Sequence, residues 1–232
     1  MKLSLIIPCY NEAENLPLLL ERCSTLSDKS DIEVILVDNG STDNSPEVLE
    51  KLLPIYPHCR AVRVPVNQGY GFGILSGLDA AKGDVLAWTH ADMQADPKDV
   101  LRAFEFFKLH GNHIYVKGQR IKRPLADVFF TASMSVFETC LLQTKLWDIN
   151  AQPNMFSKEF FESWRNPPHD FSLDLYVYFK ARTQGLTVYR FPVEFVERAH
   201  GVSHWNVNWA SKMKFIRRTI EFSFELKKRL SK

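Results

Sequence analysis

The feature that most constrains this fold is an alternation, up to about residue 120, of short apolar runs with longer amphipathic stretches. The runs are rich in β-branched residues and cover residues 3–8, 33–38, 61–65, 84–89 and 114–118, which predicts strands. Between the runs, apolar residues recur at helical spacing, as in Val100, Phe104 and Phe107. This order predicts an α/β fold with a Rossmann-like, mostly parallel central sheet flanked by helices.

Length and composition fit a single folded domain over residues 1–232. The chain is 45% hydrophobic and 24% charged, unlike the highly charged, polar composition of disordered chains. A formal net charge of +2 gives no indication of binding to nucleic acid. The four cysteines form no C-x-x-C pair, so we interpret them as reduced thiols rather than zinc ligands or disulfides.

The sequence also predicts where the chain is located. Its apolar start ends at Pro8, which is too early for the hydrophobic part of a signal peptide. No window contains the roughly 18 uninterrupted apolar residues that span a bilayer. We therefore expect a cytoplasmic protein, either soluble or peripheral at the inner face of the plasma membrane.

Two amphipathic segments leave membrane contact open. The stretch from Pro124 to Trp147 predicts a helix whose apolar stripe packs on the core or faces a membrane or an acceptor. The segment 209–232 predicts a basic helix that either lies on an anionic membrane or packs its stripe on the domain. The first stripe comprises Phe129, Phe130, Met134, Phe137 and Leu141, and the second comprises Met213, Ile216, Ile220 and Phe224.

Polar clusters follow three of the predicted strands, at residues 8–12, 38–43 and 90–94. Ligands of an open parallel sheet bind beyond the carboxyl ends of its strands. Each cluster alone is explained equally well by helix caps and turns. A glycine-rich turn at residues 67–73 adds a place where backbone approaches a ligand closely. No glycine follows the first strand, which argues against a dinucleotide such as NAD or FAD.

In their order and register, these motifs resemble glycosyltransferase family 2. Within that family the chain is most similar to the dolichol-phosphate mannose synthase branch and to bacterial polyprenyl-phosphate or surface-polysaccharide sugar transferases. The resemblance covers residues 3–99 and continues in shorter matches at 118–120, 148–152 and 198–203. It implies a GT-A fold, with residues 1–120 binding a nucleotide sugar, residues 121–208 binding the acceptor and residues 209–232 forming the basic helix.

The implied activity is an inverting transfer of a hexose from a UDP- or GDP-linked sugar to a polyprenyl-phosphate or a cell-surface saccharide. Such a reaction serves polysaccharide and cell-envelope biosynthesis. Asp38 offers hydrogen-bond acceptors to a nucleobase or ribose, and Tyr10 offers a flat apolar face. The residues that the resemblance assigns to the nucleotide sugar are Pro8, Tyr10, Asn11, Glu12, Asp38, Asn39, Asn67, Gly69 and Asp92.

A divalent metal, Mg²⁺ or Mn²⁺, is also implied. Asp92 and Gln94 correspond to the metal and pyrophosphate end of the family's D-x-D motif, and oxygen ligands suit these hard cations. His90 stands where the family usually has aspartate. Three roles stay open for it: metal ligand favouring Mn²⁺, sugar contact, or a histidine packed at the strand end that leaves Asp92 as the one charged ligand.

The resemblance assigns the acceptor phosphate to Arg120, Arg198 and Ser203, because guanidinium groups bind phosphate oxygens in pairs. A lipid phosphate is already ionised near neutral pH and needs no base. A sugar hydroxyl needs one. Asp170 and Asp174 are the candidate bases, and on a helix they would face the same way. The alternative is that Asp170 caps a helix and Asp174 is exposed.

Two other functions remain as alternatives. A sugar nucleotidyltransferase would share the α/β layout, but residues 8–12 lack the glycine- and lysine-rich phosphate loop that it would carry near the first strand. A non-catalytic sugar-nucleotide-binding protein is the second alternative, suggested by His90. Release of free nucleoside diphosphate from a labelled donor distinguishes a transferase from a sensor.

Overall fold

The computed structural model describes residues 1–26, 31–196, 198, 200 and 209–230. Seven strands form one sheet in the order β3-β2-β1-β4-β6-β5-β7. Strand β6 pairs antiparallel with β4 and β5, and the other pairs are parallel. The strands are β1 (Leu3–Cys9), β2 (Ile32–Asn39), β3 (Cys59–Val64), β4 (Val85–Trp88), β5 (Ile114–Ile121), β6 (Asn154–Ser157) and β7 (Thr187–Glu194).

Helices cover both faces of this sheet. They are α1 (Leu16–Ser24), α2 (Ser45–Leu52), α3 (Tyr70–Asp79), α4 (Asp99–His110), α5 (Leu125–Leu142), α6 (Lys158–Glu162), α7 (Leu173–Thr183) and α8 (Trp209–Leu230). The predicted α/β fold with a mostly parallel sheet is therefore confirmed.

Strand β1 shows why the central runs are apolar at every position. Leu3, Leu5 and Ile7 pack on one face with α1 and α4, whereas Ile6 packs on the other with α3 and α7. Because successive side chains point to opposite faces, a strand covered on both sides must be apolar throughout. The five predicted strands all appear, with ends that differ by up to three residues.

Strands β6 and β7 have no counterpart among the predicted strands. Strand β6 has four residues and carries a buried polar side chain, Asn154. Strand β7 lies at the sheet edge and alternates buried with exposed positions only near its end. Short length and polar content weaken the apolar pattern on which strand prediction depends.

Helix α5 packs on the protein through a face that differs from the predicted apolar stripe. Its buried residues are Ser135, Glu138 and Leu142. In contrast, Phe129 is 76% exposed and Phe130 is also exposed, so packing of the whole stripe on the core is wrong. The helix is long and apolar enough to cross a membrane, with a mean hydropathy of 1.5. Few of its residues are buried, and Asp127 and Glu138 interrupt its apolar character.

Helix α8 lies against α5. Phe222, Ser223 and Leu226 are its buried residues among those whose side chains are described. The predicted stripe is rotated away from this contact: Met213 and Phe224 are exposed. The hydroxyl of Ser223 donates to Oε1 of Glu138 at 2.7 Å, so a polar pair fixes the contact face. The helix thus packs on α5 through a face other than the predicted stripe.

The Glu138–Ser223 pair predicts a pH-dependent stability. Burial raises the pKa of Glu138 to about 7, and the Ser223 hydrogen bond lowers it less. A carboxyl group with a raised folded-state pKa makes the fold less stable as the pH rises from its unfolded pKa, near 4.3, to its folded pKa, near 7, and the loss is complete above that. As the pH rises from 5 to 8, we expect the free energy of unfolding of Glu138→Gln to increase by up to about 3 kcal/mol relative to that of the unsubstituted protein. Urea unfolding at both pH values measures this difference, and equal shifts for the two proteins would contradict it.

Candidate active site

Three polar loops lie together because β2, β1 and β4 are adjacent and parallel. Their carboxyl ends meet at one edge of the sheet, so residues 8–12, 38–43 and 90–94 all follow strands there. The first two loops are cross-linked. Asn11 accepts from the backbone N–H of Thr42 at 2.8 Å, and the N–H of Glu12 donates to Ser45 Oγ at 3.0 Å. The side chain of Asn11 thus holds the two loops as one rim.

Asp38 is buried at the end of β2. One carboxylate oxygen accepts from the N–H of Ser41 at 3.0 Å. The other lies 3.7 Å from Nε of Arg63, a largely exposed side chain on β3 that the sequence did not single out. Pro8 and Tyr10 are half-buried nearby on the same edge. This group combines an apolar surface, a carboxylate and a cation.

The glycine-rich turn packs backbone against backbone. Asn67 accepts from the N–H of Gly69 at 2.8 Å, and Asn39 donates to the Gly69 carbonyl at 2.9 Å. Gly69 has φ +112, and a Cβ there would lie 2.4 Å from the carbonyl oxygen of His169. Only glycine fits such a position. The turn therefore connects the rim to the loop that precedes α7.

Among the predicted metal ligands, Asp92 is buried and both of its carboxylate oxygens have a partner. It is 5% exposed, and Oδ2 lies 2.7 Å from Nη2 of Arg198. Its other oxygen accepts from the N–H of Gln94. The Gln94 side chain donates to the Val196 carbonyl at 3.2 Å. The structure thus brings together Asp92, Gln94 and Arg198, while Ser203 lies outside the described residues.

Glu12 belongs to the same charged group. Asn15 donates to its carboxylate and also to the carbonyl of His200. Burial raises the pKa of Glu12, the Asn15 hydrogen bond opposes this, and the charges of Asp92 and Arg198 act in opposite directions. Two carboxylates therefore face one guanidinium at this end of the sheet.

His90 lies beside this group and stacks on an aromatic column. Its ring centroid is 5.6 Å from that of Tyr70, which in turn stacks on Phe171 at 4.6 Å. Among the described residues, no cluster of three or more His, Cys, Asp or Glu side chains forms a metal site by itself. Asp92 nevertheless fits Mg²⁺ or Mn²⁺, because these cations take one or two carboxylates and complete their shell with substrate phosphates and water.

Arg120 is held by a buried carboxylate rather than free. Its Nε donates to Asp148 at 2.9 Å and its backbone N–H donates to the same group at 3.0 Å. Arg190 and Arg123 lie 3.7 and 3.9 Å from Asp148. Burial raises the pKa of Asp148, but the arginines outweigh this and hold the pKa below its ordinary value. Three cations around one anion leave a net positive centre.

An apolar pocket adjoins this positive centre. It lies between α5, α7 and α8, with Arg120 at its wall. Arg120 and Arg123 also lie over the ring of Phe195, at 5.3 and 5.8 Å. The main apolar side chains that line the pocket are Phe130, Met134, Ile149, Phe171 and Leu175.

The two candidate bases point to different places. Asp170 precedes α7, accepts from the N–H of Ser172 at 2.9 Å and lies 3.6 Å from Arg218 of α8. Asp174 lies within α7, is 2% exposed and accepts from Gln152 and Asn154. The expectation that both share a helix face is wrong because the helix begins at Leu173. The alternative that Asp174 is exposed is also wrong.

A buried polar network joins these regions, and sequence reasoning missed most of it. Lys117 is fully buried on β5 and donates to Asn154 Oδ1 at 2.6 Å and to the Ala151 carbonyl at 2.7 Å. Burial lowers the pKa of Lys117 to about 7. A lysine inside the predicted strand 114–118 was the one available signal, since buried lysines are rare unless paired.

Comparison with known proteins identifies relatives over part of the chain. A transferase from Proteus mirabilis, undecaprenyl-phosphate 4-deoxy-4-formamido-L-arabinose transferase, is 41% identical over 106 residues, covering 44% of this chain and 32% of that protein. The enzyme of the same name from Yersinia enterocolitica is 38% identical over 107 residues, with the same shares. The match spans about a third of the length of these curated relatives.

Solved structures match over more of the chain. Glucosyl-3-phosphoglycerate synthase from Mycobacterium tuberculosis, in complex with Mn²⁺, UDP and glucosyl-3-phosphoglycerate, has a TM-score of 0.74 at 19% identity, and the match covers 97% of this chain and 79% of that one. A mannosyltransferase from Pyrobaculum calidifontis, in complex with GDP-Man and Mn²⁺, has a TM-score of 0.63 at 21% identity. The match covers 86% of this chain and 57% of that one. These likenesses confirm the expected GT-A fold.

The family itself is shown by its sequence model. The sequence model of the family described as "Glycosyl transferase family 2" matches residues 4–166. This range contains all three loops at the sheet edge, the glycine-rich turn, and Asp148 with Arg120 and Arg123, whereas Arg190 lies beyond it. Because the match covers well over half of the chain, this protein belongs to glycosyl transferase family 2.

Proposed function

We propose that this chain transfers a hexose, with inversion, from a UDP- or GDP-linked sugar to a polyprenyl phosphate. The observation that carries the proposal is the buried carboxylate of Asp92 at the carboxyl end of β4, beside Glu12 and Arg198. Family membership, relatives that are undecaprenyl-phosphate sugar transferases and a fold shared with UDP- and GDP-sugar enzymes support it.

The donor half comprises residues 1–120. Asp38 and Arg63 offer an acceptor and a donor to a nucleobase, and Tyr10 and Pro8 offer apolar surface to it. Glu12, Asn39, Asn67 and Gly69 line the same edge and are assigned to the nucleotide sugar. Asn11 has a different part, since its side chain joins the loop at residues 8–12 to the loop at residues 38–43.

A divalent metal fits beside Asp92, with Gln94 and His90 as further donors, and when bound it neutralises charge on the departing diphosphate. Arg198 supplies a second positive group there, since its guanidinium already reaches Asp92. Both of the solved structures described above contain Mn²⁺, which supports a divalent ion at this position. Ser203 keeps its assignment to the acceptor phosphate from the resemblance.

The acceptor half comprises residues 121–208 together with Arg120. The net positive centre around Asp148 and the apolar pocket beside it match the two parts of a lipid phosphate, a charged head and a hydrocarbon tail. A phosphate binds arginine in paired hydrogen bonds. An ionised phosphate oxygen attacks the sugar carbon without a base, and the bond to the diphosphate breaks on the opposite face.

The surface of α5 supports a peripheral site on the cytoplasmic membrane. Leu125 and Phe129 are 86% and 76% exposed, and exposed apolar clusters of this kind mark interaction surfaces. Lys227, Lys228 and Arg229 at the end of α8, in residues 209–232, are also exposed. Basic residues beside an apolar surface bind anionic lipids.

A saccharide acceptor is the second candidate, and the position of Asp170 favours it. That carboxylate lies in a groove with Gln68, Gly69 and Arg218, where it would deprotonate a sugar hydroxyl. Asp174 is too deeply buried for direct contact with such an acceptor. A nucleotidyltransferase has no support from these comparisons, and release of nucleoside diphosphate tests the non-catalytic alternative.

The metal assignment predicts different effects at the two ends of the donor site. We expect Asp92→Asn to abolish the Mn²⁺-dependent part of nucleotide affinity, because the remaining ligands are neutral. Asp38→Ala should weaken affinity by about 1.5 to 3 kcal/mol with or without metal, the scale of a hydrogen bond to a charged group. Calorimetry with UDP and with GDP measures both, and unchanged Mn²⁺ dependence in Asp92→Asn would remove Asp92 from the metal site.

The acceptor assignment predicts which substitution stops transfer. We expect Arg120→Lys to reduce transfer to polyprenyl phosphate by more than about tenfold, because lysine keeps the charge but loses paired hydrogen bonding. Asp170→Asn should leave that transfer nearly unchanged. A base would instead contribute about 10²- to 10⁴-fold.

Nucleotide affinity and the melting temperature of Arg120→Lys serve as controls, because Arg120 also contacts Asp148. A normal rate in Arg120→Lys, together with an inactive Asp170→Asn enzyme, would favour the saccharide acceptor instead.

The membrane assignment predicts that Leu125→Asp/Phe129→Asp prevents flotation with anionic phospholipid vesicles. Both side chains are exposed, so the substitutions should leave the melting temperature nearly unchanged. Leu109→Asp on α4 is the matched control, since Leu109 is 76% exposed on another helix. Equal flotation of all three proteins would contradict a docking role for α5.

A further inference from the structure

The buried network between α7 and the sheet suggests a role for Asp174 that differs from base catalysis. This inference rests on the proposed function, since it concerns how the same donor site is kept in shape. Asp174, Asn154 and Gln152 are each 2% exposed or less. Their side chains connect the acceptor half to Tyr70, the first residue of α3.

Hydrogen-bond directions in the network follow from its two charged ends. The ammonium of Lys117 only donates, so the oxygen of Asn154 faces it at 2.6 Å. The amide nitrogen of Asn154 then faces the carboxylate of Asp174 at 3.0 Å. Asp174 accepts at the same oxygen from Gln152 Nε2 at 2.9 Å. A carboxylate at this point therefore fixes which way both amides are turned.

The chain of hydrogen bonds continues to the stacked rings of His90, Tyr70 and Phe171. Gln152 Nε2 also donates to the hydroxyl oxygen of Tyr70 at 3.3 Å. The Tyr70 ring lies between those of His90 and Phe171. His90 is two residues before Asp92 on the loop that follows β4. The column thus connects the carboxylate of Asp174 to the loop that carries the candidate metal ligand.

We propose that Asp174 is a positioning residue: through Gln152 it orients Tyr70, and Tyr70 supports the imidazole of His90 beside Asp92 in the donor site. Asp174 has no direct path to an acceptor, because both of its neighbouring amides and the body of α7 enclose it. Desolvation is the strongest influence on Asp174 and raises its pKa, while Lys117 and His90 lower it.

In this role, the side chain at position 174 must accept hydrogen bonds from the two amides. It does not need to take a proton from the acceptor. An asparagine oxygen accepts from two amides as a carboxylate does, whereas alanine does not. Asp174→Asn should therefore retain transfer within about tenfold of the unsubstituted rate, whereas a lost base costs about 10²- to 10⁴-fold. Asp174→Ala and Gln152→Met should both weaken Mn²⁺-dependent affinity for the nucleoside diphosphate by at least about tenfold.

The experiment combines calorimetry with steady-state kinetics. Affinity for UDP or GDP is measured with and without Mn²⁺, and the KM for each substrate is determined over pH 6 to 9. We expect the donor KM to rise in Gln152→Met, the acceptor KM to stay constant, and the pH profile of Asp174→Asn to match the unsubstituted enzyme. Tyr178→Phe is the matched control, because Tyr178 is buried against Lys117 but outside this chain of bonds.

Two results would overturn the proposal. An Asp174→Asn enzyme that binds nucleotide normally but has lost transfer and one limb of its pH profile indicates a base. Normal metal-dependent affinity in a folded Gln152→Met protein indicates a packing role only. If Asp174→Ala does not fold, Asp174→Asn and Gln152→Met still distinguish a positioning role from base catalysis and from packing. Absence of any nucleotide binding by the unsubstituted protein would instead contradict the proposed function itself.

Discussion

Strand β1 pairs in parallel with both β2 and β4, and this pairing determines where the polar loops of the candidate site lie. It turns three strand ends, distant in sequence, into one edge where carboxylates accumulate at Glu12, Asp38 and Asp92. Such a concentration of negative charge is unfavourable unless cations compensate it. The structure supplies Arg63 and Arg198 as partners. Under the proposed function, a nucleoside diphosphate with a divalent ion would add charge of both signs to the same edge.

The second half of the chain uses a different device to make a polar interior. Strand β6 runs antiparallel between β4 and β5, and its Asn154 lies where Lys117 and Asp174 need a bridge. Burying a single charge without a partner destabilises the fold. A pair of opposite charges whose hydrogen bonds are all satisfied offsets much of that desolvation free energy. The result is a connection of hydrogen bonds and stacked rings from α7 through Tyr70 to His90, on the loop after β4.

Sequence patterns predicted the first half well because its chemistry is local. Strand runs, the residues after them and the glycine turn are contiguous, so order alone aligned Asp38, Gly69 and Asp92 with one edge. The second half depends on contacts between residues far apart in sequence, such as Lys117 with Asn154 and Glu138 with Ser223. Neither pair has a periodic signature. The contact face of α8 was misjudged because one buried serine pairs with a buried glutamate.

The chemistry of the product distinguishes the proposed lipid-phosphate acceptor from a hydroxyl acceptor. Protein is incubated with Mn²⁺, polyprenyl phosphate and UDP- or GDP-sugars labelled in the hexose, and the product is extracted into organic solvent. A lipid-phosphate acceptor predicts a labelled lipid whose sugar is released by mild acid, as expected of a glycosyl phosphate. Label that remains in water-soluble saccharide, with none in the lipid, would contradict it.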